Sequence, residues 1–206
     1  ANQDVSLPAN TQVLLDKSTE VSIGYITIPS TSSLVIGESD DDEIALRAAG
    51  INVLGKLIAG SESCRIQNTQ IRITLYGSRP ANAPTVPEPE YKGVNVQGGE
   101  VSLHGKRFSR TWTRLSTTAL AGSDVLMLQH QTNWKAGQQL VVVTTAVKDS
   151  KEAHENEVVT IQHVYDSVPG GVGSAVVIDP PLQYRHSGIS NYQAEVGLLS
   201  RMIVIK

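Results

Sequence analysis

The feature that most constrains the fold is a short apolar triplet that recurs through the first half of the chain. Each triplet has aliphatic residues at its ends and a polar residue at its centre, and four of them begin at Ile26, Ile51, Ile71 and Val94. These starting positions are 25, 20 and 23 residues apart. Alternating apolar positions are typical of strands with one buried face, and repeats of this length indicate supersecondary units that stack on one another.

Glycines separate the strand-like segments of each repeat. Glycine adopts the backbone conformations that a short strand needs when it ends in a tight corner. The pattern of strand, glycine turn and strand predicts an all-β fold that begins as a right-handed parallel β-helix-like solenoid, over residues 1–110. The glycines of this pattern are Gly37, Gly50, Gly55, Gly60, Gly77, Gly93, Gly98 and Gly105.

The remainder, residues 111–206, predicts an attached irregular β subdomain that continues toward further β-helix coils. Its strand-like segments have no fixed repeat length, so antiparallel or mixed pairing is expected. Residues 80–89 hold four prolines, which lack backbone donors and predict a loop between the repeats that begin at Ile71 and Val94. The predicted strands of the second half cover residues 124–128, 140–146, 158–164, 174–178 and 194–205.

Residues 40–50 fit two structures. The acidic run Asp40–Glu43, followed by good helix formers and Gly50, is typical of a short capped helix, whereas its continuation into Ile51 favours a strand. The same acidic run is a weak candidate for calcium, which binds carboxylate oxygens. It lacks the alternating ligands of a calcium loop, so a solvated turn is favoured and no cofactor is predicted.

Composition argues against several classes of protein. The net charge is −3 and the pI is about 6.0, which argues against a nucleic-acid-binding protein. No apolar run approaches the roughly 20 residues of a membrane-spanning helix. The single cysteine, Cys64, fits a buried apolar position, a disulfide partner elsewhere in a longer protein or, least well, a nucleophile. The strand pattern Met202–Ile205 at the end of the chain leads us to expect neighbouring domains of the same polypeptide.

Few polar residues suggest chemistry. The stretch Glu152–Glu157 concentrates carboxylates around His154, and Glu155 and Glu157 are spaced to share one face of a strand. Two carboxylates at a controlled separation hydrolyse glycosidic bonds, although a charged loop before a strand is the favoured interpretation. Three residues at strand ends, His104, Arg185 and His186, fit the hydroxyl or acidic groups of a ligand, with structural hydrogen bonds as the favoured alternative.

Two tryptophans stand out in a chain with 4% aromatic residues. An exposed tryptophan packs against the apolar face of a sugar, whereas a buried one fills a core with its N–H satisfied. A core position is favoured for Trp112, and the two positions are equally favoured for Trp134. The candidate binding residues are His104, Trp112, Trp134, Glu155, Glu157, Arg185 and His186, and no catalytic residue or metal ligand is assigned.

A series of short motifs carries a family resemblance. The segment Ile51–Leu57 lies at the centre of the glycine pattern that runs from Gly24 to Gly105. Further motifs follow in order: Leu103–Gly105, Trp112–Leu115, Trp134–Gly137, Val141–Val143, Glu155–Glu157, Pro181–His186 and Ala194–Arg201. In this order the chain resembles the extracellular domain family named for its eight glycines, which occurs in fibrocystin, fibrocystin-L and hyaluronan-depolymerising proteins.

The resemblance implies an extracellular location, in a secreted protein or the ectodomain of a surface protein, and a β-helix that continues beyond Lys206. The hyaluronan-depolymerising members carry an inserted domain after the segment that matches Trp112–Leu115, and this chain has no room for one before Ala121. We therefore expect a scaffold with a glycan- or protein-interaction surface. The alternatives are a depolymerase of a hyaluronan-like acidic polysaccharide and a purely structural filament or adhesin segment.

Overall fold

The computed structural model describes residues 3–77, 92–150, 154–166 and 173–206, and this part of the chain is all-β. The predicted proline loop at 80–89 lies outside the described residues. A helix long and apolar enough to cross a membrane does not occur in the described part of the chain. The strands are β1 (Val5–Ser6), β2 (Gln12–Leu15), β3 (Ile23–Ile28), β4 (Ser33–Ile36), β5 (Glu43–Val53), β6 (Lys56–Ala59), β7 (Gln70–Leu75), β8 (Val94–Val96), β9 (Glu100–Leu103), β10 (Trp112–Arg114), β11 (Val125–Met127), β12 (Gln139–Val142), β13 (Glu157–Tyr165), β14 (Ala175–Asp179), β15 (Gly188–Ile189), β16 (Tyr192–Gln193), β17 (Glu195–Leu198) and β18 (Ile203–Ile205).

The strands form two compact units, one of residues 1–106 with 201–206 and the other of residues 107–200. In the first unit, one sheet has the order β1-β3-β5-β7-β18, with β8 also paired to β5, and the other has the order β2-β4-β6-β9. The strand pairs described in this unit are all parallel. The predicted domains, 1–110 and 111–206, stay a prediction about the parts of the chain that fold independently.

Inward-facing side chains of both parallel sheets form one apolar core. Every second residue of β3, β4 and β6 is buried, because side chains alternate between the faces of a strand. The largest fully buried side chains of this core are Ile28, Ile36, Ile44, Leu46, Ile51, Leu57, Ile71 and Ile73. Burial stabilises each of them by about 1.5–3 kcal/mol relative to an exposed position. Cys64 is exposed, so the buried position favoured for it is wrong.

Three of the predicted repeats stack in register. Ile26 lies opposite Ile51 in the β3–β5 pair, and Ile51 lies opposite Val94 in the β5–β8 pair. The repeat that begins at Ile71 joins the same sheet elsewhere, because Ile71 pairs with Ile44 in the first half of β5. With 11 residues, β5 is long enough to hold one neighbouring repeat on each half.

Strand β5 also decides between the two structures that fit residues 40–50. Its residues are buried at every second position from Ile44 to Ala48, which is the period of a strand and not of a helix. The acidic residues Asp40–Asp42 form a bend that leads into the strand. Across the described residues, no group of three or more carboxylate, histidine or cysteine side chains is placed to hold a metal ion. The weak candidacy of the acidic run Asp40–Glu43 for calcium stays untested.

Two carboxylates connect neighbouring segments of the first unit. Glu43 accepts two hydrogen bonds from the guanidinium of Arg72 on β7, at 2.9 and 2.7 Å. These bonds lower the pKa of Glu43 below its ordinary value of 4.5, against the smaller opposing effect of burial. Glu38 accepts hydrogen bonds from the backbone N–H groups of Asn68 and Gln67, which lower its pKa in the same direction.

We expect both carboxylates to make stability depend on acidity. Because their pKa values are lowered in the folded state, their contribution is complete above the ordinary value of 4.5 and is lost as the pH falls through the folded-state values. Both side chains are at least partly exposed, so each contributes less than about 1 kcal/mol. Urea unfolding between about pH 7 and about pH 3 should show a smaller decrease in a Glu38→Gln, Glu43→Gln variant than in the parent. Glu62→Gln removes an exposed carboxylate as a control, and a parent-like decrease in the double variant would contradict the prediction.

The second unit contains a six-stranded sheet in the order β10-β17-β12-β13-β14-β11 and the hairpin β15–β16. Its described strand pairs are antiparallel, within the antiparallel or mixed pairing expected of this half. The predicted strand over 194–205 is wrong, because β17 belongs to this unit and β18 pairs with β7 in the first unit. Leu115, Leu126, Leu140 and Ile161 lie at the centre of the core of this sheet.

Candidate functional site

A tryptophan lies exposed on β10, which is an edge strand of the antiparallel sheet. Trp112 is 54% exposed, so the core position favoured for it is wrong. Its partner across the β10–β17 pair is Gly197, which has no side chain to cover the ring. Arg114 is two residues further along and shares the outer face of the strand, whereas Thr113 between them is buried. The edge strand therefore presents an aromatic ring and a guanidinium side by side.

A groove of about 340 Å³ surrounds this ring, and we call it the Trp112 groove. The backbone N–H of Gln129 donates to the carbonyl of Arg114 at 2.8 Å, which fixes the segment after β11 beside β10. His130 lies within hydrogen-bonding distance of Thr113, with 2.9 Å between Nδ1 and Oγ1. The lining residues are Arg110, Thr111, Trp112, Thr113, Arg114, Gln129 and His130.

Two further depressions share residues with the Trp112 groove. One, of about 550 Å³, shares Arg110, Gln129 and His130 with the groove. The other, of about 310 Å³, shares Arg114 and reaches Tyr192, which is exposed. The three depressions are therefore connected through Arg110 before β10 and Arg114 at its end, and they include the rings of Trp112 and Tyr192. Connected depressions of this kind suit an extended ligand better than a compact one.

The charge of the Trp112 groove is positive. Two guanidinium groups, Arg110 and Arg114, lie along it. Among the described residues, one carboxylate contacts them: Glu195 Oε1 on the neighbouring strand β17 lies 3.6 Å from the guanidinium of Arg114. The guanidinium carbon of Arg114 is also 5.7 Å from the centre of the Trp112 ring, within the range of a cation–π interaction. These groups are exposed, so salt screens their attraction for an anionic ligand.

Trp134 is a core residue that fixes the backbone at one end of the groove. It is 3% exposed, so its ring lies in the core and is not available to a ligand. Its indole N–H donates to the carbonyl of Arg110 at 2.9 Å. Arg110 has a φ of 61°, in the left-handed region that non-glycine residues adopt only at a cost of about 1–2 kcal/mol. The hydrogen bond from the core tryptophan holds this turn and thereby directs the chain into β10.

Glu157 and His186 form a buried pair rather than a ligand-facing one. His186 is fully buried, with Nε2 at 2.9 Å from Glu157 Oε1 and Nδ1 at 3.0 Å from the carbonyl oxygen of Val143. A carbonyl only accepts, so Nδ1 carries a proton, and one further proton lies between Nε2 and Oε1. The carboxylate also accepts from the backbone N–H groups of Gln183 and Tyr184, at 2.7 and 3.0 Å. Every side-chain oxygen and nitrogen of the pair therefore has a hydrogen-bond partner, and these bonds fix the segment before β15.

The remaining predicted site residues lie apart from the Trp112 groove. Glu155 precedes β13, as in the favoured interpretation of a charged loop before a strand, so it does not share a strand face with Glu157, and its role in binding stays a prediction. His104 belongs to the first unit and contacts Ser102 Oγ at 3.0 Å through Nε2. Arg185 is exposed. Among the seven predicted residues, only Trp112 lines the groove.

Arg110, Arg114 and His130 line the groove and are not among the sequence-based candidates. A signal for the first two exists in the sequence, because arginines lie two positions before and two after Trp112. On a strand this spacing would place all three side chains on one face. His130 carries no comparable signal, because it lies 15 positions after Leu115 in the sequence. It reaches the groove only through the pairing of β11 with β14 and the bridge from Leu115 to Leu128.

Comparison with known families adds to this geometry. The G8 domain family matches residues 1–116, which cover more than half of the chain. The chain belongs to the G8 domain family. This confirms the resemblance to the eight-glycine family, and the match extends through β10 and Trp112 of the Trp112 groove.

Several relatives of this G8 family member are known. It is 34% identical over 209 residues to protein rliB of Dictyostelium discoideum and 36% identical over 210 residues to a G8 domain-containing protein of the same organism. Both alignments include the whole chain. It is also 34% identical to human fibrocystin-L over 205 residues, which include 94% of the chain. The chain spans 18%, 14% and 4% of the lengths of these three relatives.

Proposed function

We propose that this chain is an extracellular module of a large surface or secreted protein, in which the first unit is a scaffold and the second binds a glycan. The proposed scaffold is a right-handed parallel β-helix-like solenoid, supported by the parallel pairing of its strands and the stacked repeats at Ile26, Ile51 and Val94. The extracellular setting is supported by the G8 domain match and by the likeness to fibrocystin-L.

The exposure of Trp112 is the observation that carries the glycan proposal. Removing an indole ring from water is favourable, so a ring that is 54% exposed on an edge strand can still gain free energy by packing against a ligand. A sugar offers an apolar face for such a ring and hydroxyl groups for its polar neighbours. Arg110 and Arg114 add donors that pair with carboxylate or sulfate groups, so the proposed ligand is an acidic glycan chain.

We expect the chain to bind hyaluronan oligosaccharides saturably and neutral dextran oligosaccharides weakly. Trp112→Ala should weaken the binding roughly tenfold, because covering a half-exposed aromatic ring contributes on the order of 1–1.5 kcal/mol through apolar burial. Isothermal titration calorimetry measures the change. Tyr165→Ala is the matched control, because Tyr165 is equally exposed at 54% and lies outside the residues that line the groove. Equal losses in both variants, or no saturable binding of the parent, would contradict the proposal.

The proposal contains no catalytic step. The depolymerase alternative depends on Glu155 and Glu157 as a carboxylate pair, and Glu157 is instead engaged by His186 and two backbone N–H groups. The depolymerase alternative is tested by incubating long hyaluronan with the chain, with and without calcium. The length of the polysaccharide is then measured by size-exclusion chromatography with light scattering. We expect polysaccharide of unchanged length, and shortened polysaccharide would contradict the proposal.

A further inference from the structure

Three side chains form a lateral row across the outer face of the parallel sheet in the first unit. Arg47 on β5 lies opposite Thr74 on β7 in the register of that pair. Lys206, directly after β18, donates its N–H to the carbonyl of Ile73 at 3.0 Å and accepts from the N–H of Leu75 at 2.7 Å. These two hydrogen bonds place Lys206 opposite Thr74 on the other side. The row is therefore cation, hydroxyl, cation, with neighbouring strands roughly 4.8 Å apart.

The row opens into a depression of its own. Arg47, Thr74 and Lys206 all line a cavity of about 460 Å³, together with Arg72 and Glu43. Ala45, the neighbour of Arg47 on the same face, has a side chain too short to fill the space. The cavity is built entirely from the first unit, so it is separate from the Trp112 groove and its function does not depend on the glycan proposal.

The charge of this cavity is strongly positive. Among the residues that the structure describes, three cationic side chains and one carboxylate, Glu43, line it. The guanidinium of Arg72 is engaged by Glu43 through two hydrogen bonds, so these two charges largely cancel. The charges of Lys206 and Arg47 remain, and both add a smaller electrostatic contribution to that of Arg72 in lowering the pKa of Glu43. An anion with two negative charges would balance the excess.

We propose that Arg47, Thr74 and Lys206 bind a dianionic phosphate group. The row offers three donors side by side, and a tetrahedral oxyanion has enough oxygens to accept from each of them at once. A carboxylate has two oxygens in one plane and a single charge, so it satisfies the row less completely. The ligand is either free inorganic phosphate or a phosphate monoester carried on a larger molecule.

Calorimetric titration with inorganic phosphate, glucose 6-phosphate, glucose 6-sulfate and acetate tests the proposal. We expect both phosphates to bind at least several times more tightly than the sulfate ester and acetate. Binding of glucose 6-phosphate should strengthen from about pH 5.5 to about pH 8 as the ester gains its second charge, which ionises near pH 6. Binding of the sulfate ester should not change over that range. If glucose 6-phosphate binds much more tightly than inorganic phosphate, the natural ligand is a phosphate ester. If the two bind with equal affinity, the natural ligand is free phosphate.

Variants assign the binding to the row. Arg47→Gln and Lys206→Gln should each weaken phosphate binding roughly tenfold, because each removes a charge-assisted hydrogen bond. Thr74→Val should weaken it less, and Arg47→Lys should retain most of it. Lys56→Gln is the matched control, since Lys56 is an exposed cation of the same unit that pairs with Glu100 at 3.1 Å, outside the cavity.

A second form of the protein tests the row without a carboxylate beside it. When residues 1–206 are expressed alone, the α-carboxylate of Lys206 adds a negative charge beside the row, so the titrations are repeated with a short neutral Gly-Ser extension. We expect the extended chain to bind phosphate at least as tightly. The proposal is overturned if, both with and without the extension, Arg47→Gln and Lys206→Gln weaken phosphate binding no more than Lys56→Gln does. It is also overturned if acetate binds as tightly as phosphate.

Discussion

Replacing Gly55 with alanine should lower the free energy of unfolding by about 3 kcal/mol or more. A Cβ atom at this position would lie 2.1 Å from the carbonyl oxygen of Ser32 and 2.2 Å from that of Pro29. Both oxygens are backbone atoms, and Ser32 O already accepts a hydrogen bond from Lys56 at 3.0 Å. The turn before β4 would have to move away from β6, which would disturb two neighbouring levels of the sheet. Urea unfolding of the variant and the parent measures the loss.

Gly98→Ala is the matched control for this change. Gly98 occupies a corner of the same kind in the next level of the stack and has a φ of +71°, and a Cβ atom added to it would meet no other atom within 4 Å. Its replacement costs only the left-handed conformation, about 1–2 kcal/mol. The comparison separates a glycine required by space from one required by conformation. Equal losses at the two positions would contradict the interpretation that close packing requires Gly55.

Replacing Glu157 with alanine should lower the free energy of unfolding by about 3–5 kcal/mol. The change removes the acceptor for the fully buried His186 and for the backbone N–H groups of Gln183 and Tyr184, and it leaves the imidazole without its carboxylate partner. The side chain of Glu157 is 10% exposed and that of His186 is fully buried. Thermal and urea unfolding measure the loss, and a double-mutant cycle with His186→Ala measures the coupling between the two residues.

Glu155→Ala is the control for this second prediction. Glu155 is two residues earlier, carries the same charge and lies before the strand. We expect its replacement to change stability by less than about 1 kcal/mol. If Glu157→Ala is no more destabilising than Glu155→Ala, the pair with His186 is not structural, and both residues return as candidates for ligand binding or chemistry.

The repeats of the first half show how far a periodic pattern predicts tertiary structure. The triplets at Ile26, Ile51 and Val94 stack in register because each has the same alternation and each needs an identical neighbour to cover its inner face. The triplet at Ile71 has the same alternation and pairs with Ile44 instead. Its partner depends on the length of β5, and nothing local to Ile71 encodes that length.

The tryptophans show where local pattern is insufficient. Trp112 and Trp134 both follow polar segments, and sequence alone favours a core position for Trp112. The structure exposes Trp112 at an edge of the sheet and buries Trp134 beneath it. Whether a strand is an edge strand depends on which strands pair, and those partners come from distant parts of the chain. The exposure of a side chain on such a strand is therefore not encoded by its neighbours in sequence.

The sequence by itself determined the all-β class, the stacking of most of its repeats and its membership of the G8 domain family. These follow from period, glycine spacing and motif order, which are properties of short segments. Tertiary structure alone brought Arg110, Trp112, Arg114 and His130 to one groove, locked Glu157 against His186, and aligned Arg47, Thr74 and Lys206. The physical reason is that each of these sites joins residues from strands that are adjacent only after long-range pairing.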